Sequence, residues 1–462
     1  MTLHAAPTTP TDSERLAAFA LHLEPDAIPE PVQSLAKEHL LDVLGIALAS
    51  SSFEFGRVAI DGVRTLGNGA EASVIGSGER LPAASAALAN GILAHCLDFD
   101  DTHIGAIYHA SAPAMAAVLA AGQARGASGR EVLTAFIVAL EIGCRLGSSA
   151  AGQLHGRGFH PTALCGTFAA AAAAGRLNGL GHAALVSALG LCGSMAAGIL
   201  EIGESWLKRL HPGWAAHSGL SAVALARAGF LGPNTVFEGP RGFYATHVQA
   251  VPAGERSPAH ALGEHWQSLG IALKPYPCCH FLHGFVDAAL ELRGQFALAD
   301  IDRIECPLTA MLHPLVGAPR ERCVRPPTVY AALFSVHYAV AVALLKGRVD
   351  LAAFYDDPLD DPQVLALADK VHVVEDPASD FPVHFPGEVR ITLKDGRQFN
   401  CRRPTSLGTP EVPLSRAQVE AKFFANATRA IGRDAAQRLA ELVLNLERAP
   451  SLEPLLELCR AP

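Results

Sequence analysis

The sequence is poor in charged and aromatic side chains. Of its 462 residues only 18% are charged and 6% aromatic, whereas half are apolar and the net charge is −9. Soluble domains usually carry about 25% charged residues, and here Ala and Gly make up much of the difference. Disordered chains combine low hydrophobicity with high charge, and nucleic-acid binders are basic, so the composition excludes both classes. A chain of this length predicts two domains, or one large and one small domain.

A long uncharged run raises the question of a membrane span. Residues 177–200 contain no Asp, Glu, Lys or Arg, and a helix of that length could cross a bilayer. Asn178, His182, repeated glycines and the lack of a basic flank or aromatic belt instead favour a fully buried central helix of a helical core. Residues 1–13 show neither the basic nor the apolar region of a signal peptide. We therefore expect a cytoplasmic protein that has no membrane partner.

Several motifs of cofactor and metal chemistry are missing. The sequence has no Walker loop, no Rossmann glycine fingerprint and no G-x-S-x-G elbow. Its ten cysteines are scattered, as is usual for reduced, buried thiols. Cys278 and Cys279 lie beside His280 and His283, but a metal site would need a second ligand pair such as Cys-x-x-Cys, which is absent. We expect neither a metal nor a cofactor.

The apolar pattern predicts successive helices from residue 11 to about 265. Thr11 with Glu14, and Ser128 with Glu131, have the spacing of capping boxes. The segments beginning near residues 113, 161 and 181 are dense in Ala, Gly and Ser, which lets helix backbones approach closely. After residue 410 the helical pattern returns, and we expect those last helices to pack against the first domain.

Strand patterns are confined to about residues 270–405. Residues 303–308 and 389–393 alternate in polarity, and Asp395-Gly396 is a strong hairpin signal. Helices are expected between the strands at about 279–293 and 327–346. We therefore predict a mainly α fold: a large all-helical domain formed by residues 1–268 and 406–462, with a smaller α+β domain inserted at 269–405.

The densest group of chemically active residues is His95-Cys-Leu-Asp98-Phe-Asp100-Asp101-Thr102-His103, followed by a loop to His109. We expect it to end a helix that begins at Pro82 and runs to about residue 102. His95, Asp98 and Thr102, at i, i+3 and i+7, would then share one helix face, which could line a cavity. Carboxylates at a helix C-terminus oppose the macrodipole, and that cost favours a functional role over a solvated helix end.

Three further segments place cations or histidines beside unusual backbone. His160 precedes Pro161 at a predicted helix N-terminus, which is a natural anion site. Lys208 and His211 lie about one helical turn apart, and Lys274 lies near the predicted domain boundary, where pockets usually form. A helix cap, a surface turn and a proline-rigid linker are the respective alternatives. In an acidic chain these groups fit a small carboxylate-bearing substrate.

Asp98-Phe-Asp100-Asp101 also fits the D-x-D-D pattern of protonating terpene cyclases, which are helical. Carbocation chemistry needs a pocket lined by aromatic rings. The chain has only 3 Trp and 6 Tyr beside its 20 Phe, so this class is disfavoured.

Taken in order, these blocks make the sequence resemble the MmgE/PrpD family, whose members include 2-methylcitrate dehydratase, cis-aconitate decarboxylase and iminodisuccinate epimerase. The resemblance covers nearly the whole chain. It is carried by Asp98-Phe-Asp-Asp-Thr102 with His109, and by residues 158–162, 208–213, 274–280, 334–338 and 413–423. It implies a large helical domain, a smaller α+β lid with the active site between the two, and a homodimer.

The resemblance also implies the site residues. Catalysis is expected at Asp98, His109, Lys208 and Tyr338, and substrate binding at Thr102, His160, His211, Lys274, Cys279 and His280. Lys208, Lys274 and His160 would hold carboxylates, while His109 or Asp98 would move the proton. Tyr338 or Thr102 would contact the leaving or returning group. The loop between Thr102 and His109 is a residue longer than in the decarboxylase pattern, and Cys279, next to His280, stands where that pattern has a histidine.

We therefore expect a cofactor-independent lyase. The simplest reaction is dehydration of a small hydroxy-polycarboxylic acid, similar to 2-methylcitrate, by removal of a proton next to a carboxylate. Decarboxylation of a cis-aconitate-type substrate and epimerisation of an iminodisuccinate-like dicarboxylate are alternatives, because they use the same carbanion chemistry. A non-catalytic binding protein for di- or tricarboxylates is a more remote alternative, since it would not need the acid–base residues.

Overall fold

The computed structural model describes residues 9–203, 205–381 and 383–460. Within these ranges the chain forms two compact units. Of the described residues, the first contains 9–96, 100–203, 205–271 and 415–460, and the second contains 97–99, 272–381 and 383–414. The fold is mainly α with one small mixed sheet, as the sequence predicted.

The first unit is almost entirely helical. Its helices are α1 (Asp12–His22), α2 (Glu30–Ser51), α3 (Glu54–Arg64), α4 (Ala83–His95), α5 (Ser111–Arg125), α6 (Gly129–Ser149), α7 (Gln153–Gly156), α8 (Pro161–Leu177), α9 (His182–Met195), α10 (Leu207–Arg227) and α11 (Phe243–His247). Three short strands, β1 (Ala72–Ser73), β2 (Arg80–Leu81) and β3 (Thr102–His103), also lie in this unit, and β1 pairs with β2 in antiparallel fashion. The expectation that strands are confined to residues 270–405 was therefore wrong, because two-residue strands are too short to leave a periodic signal.

Small residues let the central helices of this unit pack closely, as predicted. A Cβ atom on Gly91 of α4 would lie 2.5 Å from the Cα atom of Gly213 in α10. A Cβ atom on Gly219 of α10 would lie 2.7 Å from the backbone nitrogen of Ala171 in α8. Both capping boxes are present, at Thr11 with Glu14 and at Ser128 with Glu131.

Two expectations about helix length were wrong. The helix α4 ends at His95 rather than near residue 102, and Asp98 has a φ of 50°, which no α-helix accommodates. Residues 177–200 do not form one buried central helix either. The helix α8 ends at Leu177 and α9 begins at His182, because Gly179 adopts a left-handed φ of 66° between them.

The second unit contains the mixed sheet. Its helices are α12 (His283–Leu292), α13 (Arg320–Val324), α14 (Val329–Ala332), α15 (Val336–Lys346) and α16 (Pro362–Ala368). After the two-residue strand β4 (Ile271–Ala272), the strands β5 (Ile301–Leu308), β6 (Val371–Glu375), β7 (Gly387–Leu393) and β8 (Gln398–Arg403) form a sheet in the order β6-β5-β7-β8. The β5–β6 pair is parallel and the other two pairs are antiparallel. The predicted hairpin at Asp395-Gly396 joins β7 to β8, with Gly396 at a φ of 86°.

The chain then returns to the first unit through α17 (Arg416–Ala427), α18 (Arg433–Leu444) and α19 (Glu453–Leu458). The helix α17 packs on α2, where Phe423 lies so near Gly45 that a Cβ atom there would be 2.9 Å from its ring. Lys422 forms a buried ion pair with Asp42 at 2.8 Å. The last helices pack on the first unit, as predicted.

Among the described residues, the helix α6 alone is long and apolar enough to cross a membrane, and α2 with α3 would count as a second span if their 89° bend were ignored. Of the most apolar stretch of α6, 89% is buried inside the fold. Core helices of soluble proteins have the same character, so this is weak evidence for a membrane span.

Candidate functional site

A cluster of buried histidines forms in the first unit. His95 is the last residue of α4, His109 lies just before α5, His160 caps the N-terminus of α8, and His211 lies in α10. Their exposed fractions are between 2% and 7%. Ring centroids are 4.5 Å apart for His95 and His109, 5.9 Å for His109 and His160, and 4.9 Å for His160 and His211. The fold therefore gathers four imidazoles from four separate elements.

Asp100 fixes the ring of His95. Both carboxylate oxygens of Asp100 lie 2.8 Å from Nδ1 of His95, and Asp100 is fully buried. Because a carboxylate only accepts, Nδ1 of His95 carries the hydrogen. An oxygen of Asp100 also lies 3.5 Å from Nδ1 of His109. The buried carboxylate of Asp100 thus interacts with two imidazoles.

The tautomer of His109 is fixed in the same way. Its Nδ1 lies 2.8 Å from the carbonyl oxygen of Asp101 and 3.4 Å from Oγ1 of Thr102. Since a carbonyl oxygen accepts only, Nδ1 donates, and Nε2 is the nitrogen that can take up or give a proton. The backbone N–H of His109 donates to Oγ1 of Thr162 at 3.2 Å. Hydrogen bonds to the side chain and to the backbone of His109 therefore fix the position of its ring.

Asp101 holds the start of α5. Its carboxylate accepts hydrogen bonds from the backbone N–H groups of Ala110 at 3.2 Å and Ser111 at 3.0 Å, and from the Ser111 hydroxyl. Nδ1 of His39, in α2, contacts the same carboxylate. Burial raises the pKa of Asp101, but the hydrogen bonds and charge of His39 and the hydrogen bonds of Ser111 outweigh it, so the pKa is lowered. Asp101 thus stabilises the loop that carries His109.

The pair His160 and His211 lies beside a cation. Their Nδ1 atoms are 2.8 Å apart, and Oγ1 of Thr162 lies 3.2 Å from Nε2 of His160. Burial, followed by the charge of Lys208, lowers the pKa of His160 well below its usual value. Burial, His95 and Lys208 lower the pKa of His211 to about 4. The imidazoles are therefore neutral at pH 7, and the positive charge beside them belongs to Lys208.

Lys274 and Asp98 form a separate buried pair in the second unit. Nζ of Lys274 donates to the backbone carbonyl of Asp98 at 2.8 Å and to its Oδ1 at 3.3 Å. Lys274 is 1% exposed. The expectation that Asp98 shares a helix face with His95 and Thr102 was wrong, because α4 ends at His95, Asp98 has a left-handed backbone and Thr102 belongs to β3.

The remaining predicted residues lie in apolar surroundings of the second unit. Cys279 is buried, and its backbone N–H donates to Leu333 at 2.9 Å. Burial and the charge of Lys274 lower the pKa of His280 to about 3, and within the described ranges neither of its ring nitrogens has a hydrogen-bond partner. Tyr338 is fully buried in α15. Its ring lies 6.2 Å from that of Phe354, and its hydroxyl has no partner among the described residues.

Sequence reasoning missed the residues that hold the histidines in place. His39 lies in the middle of an apolar helix, 62 positions before Asp101, and nothing in its local pattern marks it. Thr162 follows His160-Pro161 and was seen only as part of a helix start, although its hydroxyl contacts both His109 and His160.

His95, His109 and His160 each offer a nitrogen within 4.8 Å of the others, so these three could hold a metal ion.

Comparisons with known proteins cover both parts of the chain. Residues 14–255 match the model of the MmgE/PrpD N-terminal domain, and residues 276–448 match that of the MmgE/PrpD C-terminal domain. The chain belongs to the MmgE/PrpD family. The resemblance seen in the sequence is thereby confirmed.

Curated relatives in the MmgE/PrpD family differ in their reactions. A cis-aconitate decarboxylase of Aspergillus terreus is 29% identical, covering 97% of this chain and 96% of the relative. The cis-aconitate decarboxylase of Homo sapiens is 30% identical, covering 96% and 94%. A 2-methylcitrate dehydratase of Cupriavidus necator is 25% identical, covering 78% of both chains. These relatives are enzymes that act on small carboxylic acids.

Proposed function

We propose that this protein is a cofactor-independent carboxy-lyase that removes a carboxyl group from an unsaturated tricarboxylate such as cis-aconitate. Two decarboxylase relatives align over nearly the whole chain, whereas the dehydratase relative aligns over 78% of it at lower identity. The observation that carries the proposal is the fixed tautomer of His109. With Nδ1 donating to the carbonyl oxygen of Asp101, Nε2 is the nitrogen that exchanges a proton with a substrate carbon.

The chemistry follows from the charges around the ring. When the carbon–carbon bond to a carboxylate breaks, its electron pair passes into the carbon skeleton, carbon dioxide leaves, and a carbon atom takes up one proton. The ring of His109 first takes up a proton from solvent at Nε2, gives it to that carbon and returns to the neutral Nδ1–H form. The carboxylate of Asp100, 3.5 Å from Nδ1, stabilises the protonated ring. A positioned acid of this kind contributes about a hundredfold to ten-thousandfold in rate.

Lys208 is proposed to bind a substrate carboxylate. Its charge lowers the pKa of both His160 and His211, so it acts on the part of the cluster that these rings form. In the neutral pair one imidazole donates its Nδ1–H to the other, so the pair offers one Nε2–H donor to a second carboxylate oxygen. The ammonium group of Lys274 is bound by the backbone carbonyl and the carboxylate of Asp98. We therefore assign proton transfer to His109 and not to Asp98.

Dehydration of a hydroxy-tricarboxylate such as 2-methylcitrate is the second candidate. A 2-methylcitrate dehydratase among the relatives supports it, and the longer loop before His109 and Cys279 in place of a histidine both depart from the decarboxylase pattern. In that reaction Nε2 of His109 removes the proton next to a carboxylate, and the hydroxyl group leaves as water.

Incubation in D₂O with cis-aconitate, 2-methylcitrate, citrate and iminodisuccinate, followed by NMR, tests the proposal. We expect cis-aconitate to release carbon dioxide and its product to carry solvent deuterium on carbon. Turnover of 2-methylcitrate with cis-aconitate untouched would favour the second candidate, and deuterium exchange into iminodisuccinate would favour epimerisation. Tight binding of these acids without exchange would contradict both and indicate a binding protein.

The role of His109 is tested by His109→Ala. We expect kcat to fall at least about a hundredfold with native circular dichroism, because the proton-transfer group is lost. Lys208→Ala should raise KM more than it lowers kcat, because it removes a binding charge. His182→Ala, at an exposed histidine that contacts the carbonyl of Glu14, is the matched control and should leave both constants unchanged. Retained activity in His109→Ala would refute the assignment.

A further inference from the structure

Three imidazoles of the first unit lie close enough together to hold a metal ion. The rings of His95, His109 and His160 have centroid distances of 4.5, 5.7 and 5.9 Å. One nitrogen from each lies within 4.8 Å of the other two, and all three side chains are buried. A tetrahedral zinc ion with Zn–N bonds of about 2.0–2.1 Å needs nitrogens about 3.4 Å apart, which small rotations of these rings can supply.

The hydrogen bonds that the Nδ1 atoms of these rings make also fit a metal site. A histidine that binds a metal commonly donates its other ring nitrogen to a carboxylate or carbonyl, which fixes the tautomer. Nδ1 of His95 donates to Asp100, and Nδ1 of His109 donates to the carbonyl of Asp101. Nδ1 of His160 contacts Nδ1 of His211. In His95 and His109 Nε2 therefore carries the lone pair that would bind a metal ion.

One buried nitrogen of this cluster lacks a partner in the described part of the protein. Nε2 of His95 has no hydrogen-bond partner among the described residues, although the side chain is only 2% exposed. Buried polar atoms without a partner are rare in native structures, because each costs about 1–3 kcal/mol. An ion bound between the rings would satisfy this atom.

We propose that His95, His109 and His160 form an inhibitory site for a divalent transition-metal ion such as Zn²⁺. Imidazole nitrogens suit zinc, nickel, cobalt and copper, and they do not suit magnesium or calcium, which require oxygen ligands. The carboxylate of Asp100 offsets part of the ion's charge through His95. Inhibition rests on the proposed function, since the ion would occupy the Nε2 atom of His109 that exchanges the proton.

Calorimetric titration of the full-length protein with Zn²⁺ tests the site, with cobalt absorption spectroscopy as a second readout. We expect one saturable ion per chain and the visible bands of tetrahedral Co²⁺ without the near-ultraviolet bands of a thiolate ligand. His95→Gln should lower zinc affinity at least tenfold, and Asp100→Asn by about tenfold to a hundredfold through the orientation of His95.

His384→Ala is the matched control, because His384 pairs with Asp380 on the second unit and is a partly exposed site of ordinary surface character. It should change zinc affinity by less than twofold. If His95→Gln fails to fold, His160→Gln provides the same test. Zinc affinity that is equal in the wild type and both ligand variants, a thiolate band, or no saturable binding would overturn the site.

Inhibition of turnover by Zn²⁺ is measured separately from Zn²⁺ binding. If Zn²⁺ binds at the histidines and turnover of the accepted substrate is unchanged in saturating zinc, the inhibitory role is refuted. Calorimetry needs no substrate, so an inactive protein would contradict the proposed function and leave the binding result intact. Loss of turnover in step with zinc occupancy would support both parts of the inference.

Discussion

Replacement of Asp101 by Ala should destabilise the first unit strongly. The carboxylate is 1% exposed and accepts hydrogen bonds from two backbone N–H groups at the start of α5 and from the Ser111 hydroxyl, and it contacts Nδ1 of His39. The Ser111 hydroxyl can rotate to another acceptor, but the other three donors cannot. Each buried donor left without a partner costs about 1–3 kcal/mol. The loss is therefore at least about 3 kcal/mol, and nearer 5 kcal/mol if water does not enter the space.

Asp101→Asn should be much milder. Its amide oxygen can still accept from the two backbone N–H groups, and its amide nitrogen can donate to the Ser111 hydroxyl or to the other tautomer of His39. We expect a loss below about 2 kcal/mol. A larger stability loss in Asp101→Ala than in Asp101→Asn would indicate that Asp101 stabilises the fold by hydrogen bonding. If Asp101 had only a catalytic role, both variants would retain wild-type stability.

Urea unfolding followed by tryptophan fluorescence measures the difference. The three tryptophans of the chain, Trp206, Trp214 and Trp266, all lie in the first unit, so the signal reports on the unit that contains Asp101. Ser415→Ala is the matched control, since Ser415 caps the exposed start of α17 and its loss should cost about 1 kcal/mol. If Asp101→Ala is no more destabilising than Ser415→Ala, the reasoning is refuted.

Two further predictions concern packing and acid stability. Gly91→Ala should cost about 1–3 kcal/mol, because its Cβ would lie 2.5 Å from the Gly213 backbone, whereas Gly62→Ala, with no atom within 4 Å, should be neutral or slightly stabilising in the same urea assay. Burial lowers the pKa of His103 and His337 to about 4. Their neutral forms therefore stabilise the fold fully above about pH 6.5, and that stability is lost as the pH falls towards 4, by up to roughly 3 kcal/mol each. Melting temperatures that stay constant from pH 7 to pH 4 would contradict this expectation.

Local patterns in the sequence predicted much of the fold. Capping boxes at Thr11 and Ser128, the hairpin at Asp395-Gly396 and the Ala- and Gly-rich central helices depend on neighbouring residues, so they can be recognised without the tertiary structure. The end of α4 could not be recognised from the sequence. Helical spacing extended it to residue 102, but Asp98 takes a left-handed backbone conformation. Its carbonyl and carboxylate oxygens accept hydrogen bonds from the buried ammonium of Lys274, 176 positions away.

The candidate site was also predicted only in part from the sequence. The sequence marked His109, His160, Lys208 and His211 as chemically active, and of the three carboxylates in the acidic block it singled out Asp98. In the structure each carboxylate has a different partner: Asp98 pairs with Lys274, Asp100 with His95, and Asp101 with His39 and the start of α5. Such partners come from distant segments, and no local pattern records them.

By itself, the sequence determined the family, the mainly helical fold class and the residue types available for carboxylate chemistry, because these depend on composition, periodicity and motif order. Only the tertiary structure decided which nitrogen of His109 carries the hydrogen, which aspartate stabilises a loop, and which histidines lie close enough to share an ion. Those properties depend on distances of about 3–5 Å between side chains, at which hydrogen bonds and ring contacts operate. Such distances arise only when helices far apart in the chain pack together.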